Sequence, residues 1–319
     1  MACNNPLKGY FSKEVNVSGK RSIVFDVNNA IDDMSIDLPC GQCIACKISK
    51  NGEWALRMMH EASCHKENSF ITLTYSDEVL FERDNPHTLV KKDAQKFIKD
   101  LRYRLKAEAK KNGTEVPKFK YFIVGEYGDK SKRVHLHAII FGYAWNDDRE
   151  LHHISNGNEL YSSEALEKVW GKGNCLIGGV DKESCGYCAG YTTKKINGDM
   201  AEEHYVHVND NGEVFKIIPE FCMMSTKTPI GYEWYLKYGS DTKKDFITNK
   251  GKKFKIPKLY DRMLEKLDPI DFDDVKEKRE VSMRTEQCIR ENRPERLKVK
   301  EAVLKRKQKQ YEDIKGGAL

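Results

Sequence analysis

The chain has no apolar run approaching the about 18 residues of a membrane span, and its mean hydropathy is −0.69. A membrane-crossing helix is thereby excluded. Met1-Ala2-Cys3-Asn4-Asn5 offers no basic stretch followed by an apolar one, so nothing indicates export. Internal repeats and low-complexity tracts are missing too, which leaves a globular plan. A strong charge of one sign is also lacking: Lys+Arg 55 stand against Asp+Glu 49, a net charge of +6. That mild excess permits phosphate binding but is far from a histone-like composition. Without a sign of export, the ten cysteines read as reduced thiols or metal ligands rather than disulfides. At 319 residues the chain can bury the core of one large domain, or of one domain with an appendage.

Periodicity supplies a coarse map. Residues 3–46 read as irregular, with one strand near 21–28. A helix is expected over 47–64, where Trp54, Ala55, Met58 and Ala62 form one stripe. A strand follows over 70–75 with Thr72 and Thr74 alternating, then an amphipathic helix over 91–110 that buries Phe97, Ile98, Leu101 and Leu105. Two further strands carry Glu126 and the histidines; 163–170 is a short helix and 175–180 a strand. Strands separated by helices, with a hairpin at the centre, give an α+β plan of antiparallel sheet covered by helices. Three segments result: a cysteine-rich head (1–46), a main domain (47–256) and a charged helical tail (257–319). The Lys/Arg/Glu alternation of that tail suits a solvated helix, or one that meets DNA or a partner.

The most informative stretch is Arg133-Val134-His135-Leu136-His137-Ala138-Ile139-Ile140-Phe141. As a strand it turns Val134, Leu136, Ala138 and Ile140 into a core and sets His135 and His137 side by side on the opposite face. Two imidazoles one residue apart on a stiff strand make a metal clamp. Taken alone, the same pattern also suits a half-exposed strand that carries two histidines. Upstream, Lys118 to Asp129 reads as an apolar strand ending in Gly125-Glu126-Tyr127-Gly128. A hairpin of that length brings Glu126 beside the histidines. Two imidazoles and a carboxylate leave coordination positions open and favour Mg2+ or Mn2+.

In Cys185-Gly186-Tyr187-Cys188-Ala189-Gly190-Tyr191-Thr192-Thr193-Lys194-Lys195, two tyrosines four apart share one helix face, and two lysines continue it. A phenol is a poor nucleophile at neutral pH, so it needs a metal-polarised electrophile or a cation that stabilises the phenolate. Tyrosines, lysines and a metal clamp together suggest phosphoryl transfer through a tyrosyl ester. The tyrosine pair by itself would equally serve packing. Tyr191 has Lys194 and Lys195 within the next turn, which favours it as initiating nucleophile with Tyr187 its partner in joining. Tyr75, Tyr121 and Tyr127 are candidates for base stacking, or core residues.

Phe70-Ile71-Thr72-Leu73-Thr74-Tyr75, Gly125-Glu126-Tyr127-Gly128 with His135-Leu136-His137, and Tyr187-x-x-x-Tyr191-x-x-Lys194 resemble the three ordered motifs of HUH-type rolling-circle replication initiators. With Cys40-Gly41-Gln42-Cys43-Ile44-Ala45-Cys46 and Met224-Ser225-Thr226-Lys227-Thr228-Pro229-Ile230-Gly231, the chain is similar to initiators of microviruses of the gokushovirus branch. These motifs span about residues 40–240. One departure is Val134, where that family often has proline; it alters the strand entry and no ligand. The resemblance implies an HUH endonuclease fold, palm or RRM-like. It implies that Glu126, His135 and His137 hold Mg2+ or Mn2+ while Tyr187, Tyr191, Lys194 and Lys195 serve catalysis. A tyrosine would nick single-stranded or origin DNA, leaving a 5'-phosphotyrosine and a free 3'-OH, and the second would rejoin the strand. The implied partners are phage origin DNA and the host helicase and replication machinery, in the host bacterial cytoplasm and away from membranes. Two rivals are an HUH transposase or relaxase, and a non-enzymatic, zinc-stabilised single-strand-binding protein.

Cys40-x-x-Cys43-x-x-Cys46 has the spacing of thiolate knuckles, and Cys3 could complete a tetrahedral Zn2+ site. Unliganded thiols or an iron–sulfur cluster are the other readings, although no Cys-Pro follows to complete a cluster run.

Overall fold

A computed structural model describes residues 3–128, 131–196, 200–209, 211–249 and 251–316. It opens on β1 (Leu7–Val15), β2 (Arg21–Val24) and β3 (Ile36–Leu38), an antiparallel sheet in the order β2-β1-β3. The head is therefore more regular than its sequence suggests. Leu7 and Phe11 share one face of β1 and are exposed, so no apolar-in, polar-out alternation betrays the strand. Next come α1 (Ile44–Ser63), β4 (Asn68–Thr74), α2 (Asp77–Phe81), α3 (Lys91–Asn112), β5 (Lys120–Tyr127) and β6 (Val134–Phe141). They are followed by β7 (Arg149–Ser155), β8 (Asn158–Ser163), α4 (Glu164–Trp170), β9 (Cys175–Gly178), α5 (Lys182–Gly190) and α6 (Met200–His204). Then β10 (Val206–Val208), β11 (Val214–Lys216), β12 (Phe221–Met224), α7 (Tyr232–Tyr238), β13 (Phe246–Asn249) and β14 (Lys252–Lys255) lead into α8 (Lys258–Leu267). The tail is α9 (Pro269–Met283), α10 (Glu286–Glu291) and α11 (Pro294–Gly316).

The chain divides into two compact units: Asn51–Pro269, and Met1–Lys50 together with Ile270–Leu319. Head and tail, read from the sequence as separate segments, thus share one unit, and the boundary falls within α1.

The larger unit is α+β. Its seven-stranded sheet runs β12-β5-β6-β4-β9-β8-β7, antiparallel throughout. The period-two pattern of β6 sorts its residues as expected. Leu136, Ala138 and Ile140 join Ile71, Leu73 and Ile123 in a core closed by Phe97, Leu101 and Leu105 of α3 and by Leu166 and Trp170 of α4. The N-cap Ser163 accepts from Leu166 N at 3.1 Å and starts α4. Gly113 ends α3 at φ 66°, a left-handed cap that favours glycine. Gly125 lies against Phe221 of β12, where an added Cβ would sit 2.6 Å from the ring.

The face that carries the histidines is not the bare surface the alternation implies. Farther along it, Phe122, Val124, Ile139 and Phe141 are roofed by Met58 of α1 and by Cys185, Cys188 and Ala189 of α5. The Trp54, Ala55, Met58 and Ala62 stripe of α1 lies here, and Cys185 and Cys188 are packing thiols. Sequence alternation shows which residues share a face, not whether a helix covers it.

His60 of α1 is buried in this unit, stacked on Trp234 at 3.6 Å between centroids, with Nδ1 2.9 Å from the Tyr260 hydroxyl. Burial holds its pKa down to about 4. A depressed imidazole contributes stability that is full above the unfolded value of about 6.5 and is lost as pH falls toward 4. We expect the larger unit to lose up to about 3 kcal/mol across that window, and the slope to vanish in His60→Phe. Thermal melts at stepped pH check this; an equal slope in the variant would refute it.

Candidate metal and tyrosine centre

The β5–β6 hairpin sets the register Glu126↔His135 and Val124↔His137, and β4 places Thr72 opposite His137 and Thr74 opposite His135. Because side chains alternate, Glu126, His135, His137 and Thr72 all emerge on one face. Glu126 is 3% exposed and His137 8%; such burial without partners would be costly. Partners are present. Glu126 Oε1 accepts from His135 Nε2, from His137 Nε2 at 3.1 Å and from the Tyr187 hydroxyl at 2.8 Å. Glu126 Oε2 is buried with no hydrogen-bond partner. One donor atom from each of Glu126, His135 and His137 lies within 4.8 Å of the others.

The far sides of both imidazoles are held as well. His135 Nδ1 donates to the Arg133 carbonyl at 3.1 Å, and His137 Nδ1 lies 2.9 Å from Thr72 Oγ1. Phe70 stacks on the His137 ring at 5.4 Å with an interplanar angle of 7°. Thr72 and Phe70 belong to the site although the sequence marks them only as strand residues. The signal was there: Phe70, Thr72 and Thr74 share a parity, and antiparallel pairing with the histidine strand aligns them.

The electrostatics follow from burial and pairing. Burial raises the Glu126 carboxyl, but the hydrogen bonds from His135 and His137 outweigh it and hold the group at about 2. Burial lowers both imidazoles. For His135 the Glu126 carboxylate reverses the sign and the pKa is raised; for the deeper His137 burial prevails and it is lowered. Lys194 adds positive charge near both rings.

The residues fit a divalent cation. A buried carboxylate oxygen lacks a partner, two imidazoles converge on its twin, and each imidazole has an acceptor behind Nδ1. That backing lets Nδ1 keep the proton and leaves Nε2 as the ligand atom. A second acidic group, Glu61, His65 and Glu233, also converges. There Lys120 Nζ already lies 2.9 Å from Glu61 and 3.2 Å from Glu233, so an ammonium supplies the positive charge.

Helix α5 delivers the tyrosines. Asp181 and Ser184 form a reciprocal capping box, and Cys185, Cys188 and Ala189 are buried against the sheet. The α-helix ends at Gly190, and Tyr191–Thr193 continue as a 3-10 turn. Thr192 and Thr193 donate to Asn51 Oδ1 of α1 at 3.2 and 3.0 Å. The two tyrosines do share a face: the Tyr191 hydroxyl donates to the Tyr187 hydroxyl at 2.9 Å. They are not equivalent. Tyr187 is 39% exposed and touches Glu126 and, at 3.4 Å, His137 Nε2; Tyr191 is 6% exposed and stands one hydroxyl behind. Lys194 Nζ lies 4.1 Å from the centroid of the Tyr191 ring, a cation–π contact. Lys195 is exposed, and the helical face expected to carry both lysines stops before them.

Tyr75, Tyr121 and Tyr127 lie on the other side of the sheet. Tyr75 is 2% exposed and donates to Asp93 at 3.1 Å; Tyr127 donates to the Ile218 carbonyl at 2.7 Å. All three belong with the α3 core, so their reading as base-stacking residues gives way to packing. In the other motif, Ile230 is buried while its carbonyl accepts from Arg57 Nε at 3.1 Å, and Gly231 N donates to Glu61 at 2.7 Å. That motif ties a loop to α1.

Residues 68–196 match the family of replication-associated proteins of the ORF2 type, a span that holds the carboxylate, both histidines, both tyrosines and both lysines. The chain is 32% identical over 274 residues to replication-associated protein VP4 of Bdellovibrio phage phiMH2K, covering 84% of this chain and 79% of that protein. It is 31% identical over 303 residues to replication-associated protein ORF2 of Spiroplasma virus 4, covering 89% and 88%. Replication-associated protein ORF4 of Chlamydia phage 1 is 30% identical over 180 residues, which cover 54% of this chain and 42% of that protein. No solved structure matches the chain.

Proposed function

The chain belongs to the family of phage replication-associated proteins, and from that premise we propose that it initiates phage DNA replication by nicking single-stranded origin DNA through a tyrosyl ester. The observation that carries this reading is the Tyr187 hydroxyl, 2.8 Å from Glu126 Oε1 and 3.4 Å from His137 Nε2. It sets a nucleophile against a clamp of ligands. Glu126, His135 and His137 would hold Mg2+ or Mn2+, which when bound polarises a phosphoryl oxygen and offsets its charge.

The chain's own residues do the rest. Tyr187 Oη attacks phosphorus, the P–O3' bond breaks, and the 3'-oxygen leaves as a free hydroxyl while the 5'-phosphate stays on the tyrosine. Phosphodiester energy is conserved in the ester, so the step needs no nucleotide cofactor. As Tyr187 loses its proton, the Tyr191 hydroxyl already donates to its oxygen and stabilises the developing phenolate. Lys194 adds positive charge nearby. The geometry thus favours Tyr187 for the first attack and Tyr191 for the joining step, the reverse of the order that lysine spacing suggests. Host helicase and replication proteins, and the host cytoplasm as the place of action, are part of this proposal through the family premise. The test is incubation of the purified protein with end-labelled single-stranded origin DNA, with and without Mn2+. A covalent adduct and a free 3'-OH are expected; undiminished cleavage in excess chelator would remove the metal, and binding without cleavage would favour a single-strand-binding protein.

Thr72 is a positioning residue in this scheme, since its hydroxyl fixes the His137 proton on Nδ1. Thr72→Val should weaken Mn2+ binding by roughly 10- to 100-fold, and Thr72→Ser should restore it. Calorimetric Mn2+ titration reads this without DNA; equal affinities in wild type and Thr72→Val would rule it out.

A further inference from the structure

The unit built from head and tail has little to hold it together. Among its described residues the buried apolar ones are Cys3, Ala30, Cys43, Ala45, Val275 and Leu297, and the strand residues Leu7, Phe11 and Val15 are exposed. So small a core does not ordinarily stabilise a fold without a staple. The buried cluster at its centre is Cys3, Cys43 and Ala45, with Cys40, Cys46 and Leu304 against it.

The four sulfurs lie within 4.8 Å of one another. Cys3 Sγ is 3.6 Å from Cys40 Sγ and 3.8 Å from Cys43 Sγ. A disulfide would bring two sulfurs to about 2.05 Å, whereas Zn–S bonds of about 2.3 Å give tetrahedral sulfur–sulfur edges of about 3.8 Å. The separations have the length of those edges. Backbone amides aim at the sulfurs as well. Asn4 N donates to Cys43 Sγ, Cys40 N to Cys3 Sγ and Cys43 N to Cys40 Sγ, each at 3.3 Å. Such donors stabilise thiolate rather than thiol. Cys46 stands in the first turn of α1, where the helix dipole favours negative charge.

We propose that Cys3, Cys40, Cys43 and Cys46 bind one structural Zn2+, and that this ion is what docks the C-terminal helix α11 onto the N-terminal segment. The helix meets the knuckle along one face, with Leu297, Glu301 and Leu304 at successive turns. Asn4 Nδ2 donates to the Leu297 carbonyl at 3.3 Å, Asn5 Nδ2 reaches Glu301 at 3.5 Å, and Leu304 lies on the thiol cluster. Asn4 and Asn5 directly follow Cys3, so release of Cys3 frees both contacts. Binding deprotonates the four thiols and forms four Zn–S bonds, with the protons passing to solvent.

The test uses the full chain purified from zinc-containing medium. About one zinc per chain is expected, released when a mercurial thiol reagent titrates the cysteines. On release, hydrogen exchange should quicken in α11, while the amides of β4, β5 and β6 stay protected. Cys46→Ser should lose the zinc and Cys46→His should keep it; if Cys46→Ser does not fold, the wild-type release experiment decides alone. Glu126→Gln should retain full zinc, which separates this site from the proposed catalytic metal. Protein without zinc whose α11 protection is high, a mapped Cys3–Cys40 disulfide, or iron with inorganic sulfide would each overturn the assignment. Zinc release that leaves α11 protection unchanged would overturn its anchoring role.

Discussion

Tyr187→Phe should lower cleavage of single-stranded origin DNA by roughly ten-thousand-fold or more, because it deletes the attacking oxygen. Tyr191→Phe should slow the same step by only about 10- to 100-fold, the worth of one hydrogen bond to a developing charge. The asymmetry rests on distance: one phenol touches Glu126 and the other touches only the first phenol. Joining should show the opposite ranking, since a strand held on Tyr187 must be attacked by a second nucleophile. Both variants keep the aromatic ring, so neither should disturb the fold by more than about 1 kcal/mol. Trapping the adduct and mapping the modified peptide by mass spectrometry decides the order. An adduct found only on Tyr191, with full cleavage in Tyr187→Phe, would restore the order suggested by the lysines. A lack of any tyrosyl adduct would end the mechanism.

The tyrosine order turned on a local detail that spacing cannot reveal. A continuous helix would carry Lys194 one turn beyond Tyr191 on the same face. Gly190 ends the α-helix instead, and the 3-10 turn held by Asn51 brings the ammonium over the Tyr191 ring rather than to its oxygen. The β5–β6 hairpin was legible because strand parity and hairpin length are short-range properties: Glu126 and His135 are nine residues apart. Thr72 was not, because it reaches His137 across 65 residues of sequence. The union of head and tail is harder still. Asn4 and Leu297 are separated by 293 residues, and no periodicity in either segment encodes the other. The cysteine spacing was visible because three of the thiols lie within one short loop and the start of α1, while Cys3 depends on the chain's return.

The second large effect belongs to the carboxylate. Glu126→Gln should weaken Mn2+ binding by at least about 100-fold and cleavage by roughly 1,000-fold, since a neutral amide replaces the only anionic ligand of the clamp. It should leave stability within about 1 kcal/mol of wild type, because the cost of burying the charge disappears along with its attraction for the imidazoles. His137→Ala is a less clean probe than a surface histidine would be. The ring is 8% exposed and stacked on Phe70, so its removal opens a cavity that costs about 2 kcal/mol in addition to the ligand. His135→Ala removes the more accessible ring and should cost about half as much stability for a comparable loss of metal. Both imidazoles must present a bare Nε2 to a cation, yet without one they donate from Nε2 to Glu126, and the carboxylate raises the His135 pKa. Metal and proton therefore compete at His135. Mn2+ affinity should fall about tenfold per pH unit as pH drops through its raised pKa, and Glu126→Gln should flatten that dependence. Calorimetry across pH 5 to 8 measures it. An affinity independent of pH in wild type would mean that the histidines are not ligands, and an unchanged affinity in Glu126→Gln would remove the carboxylate from the site.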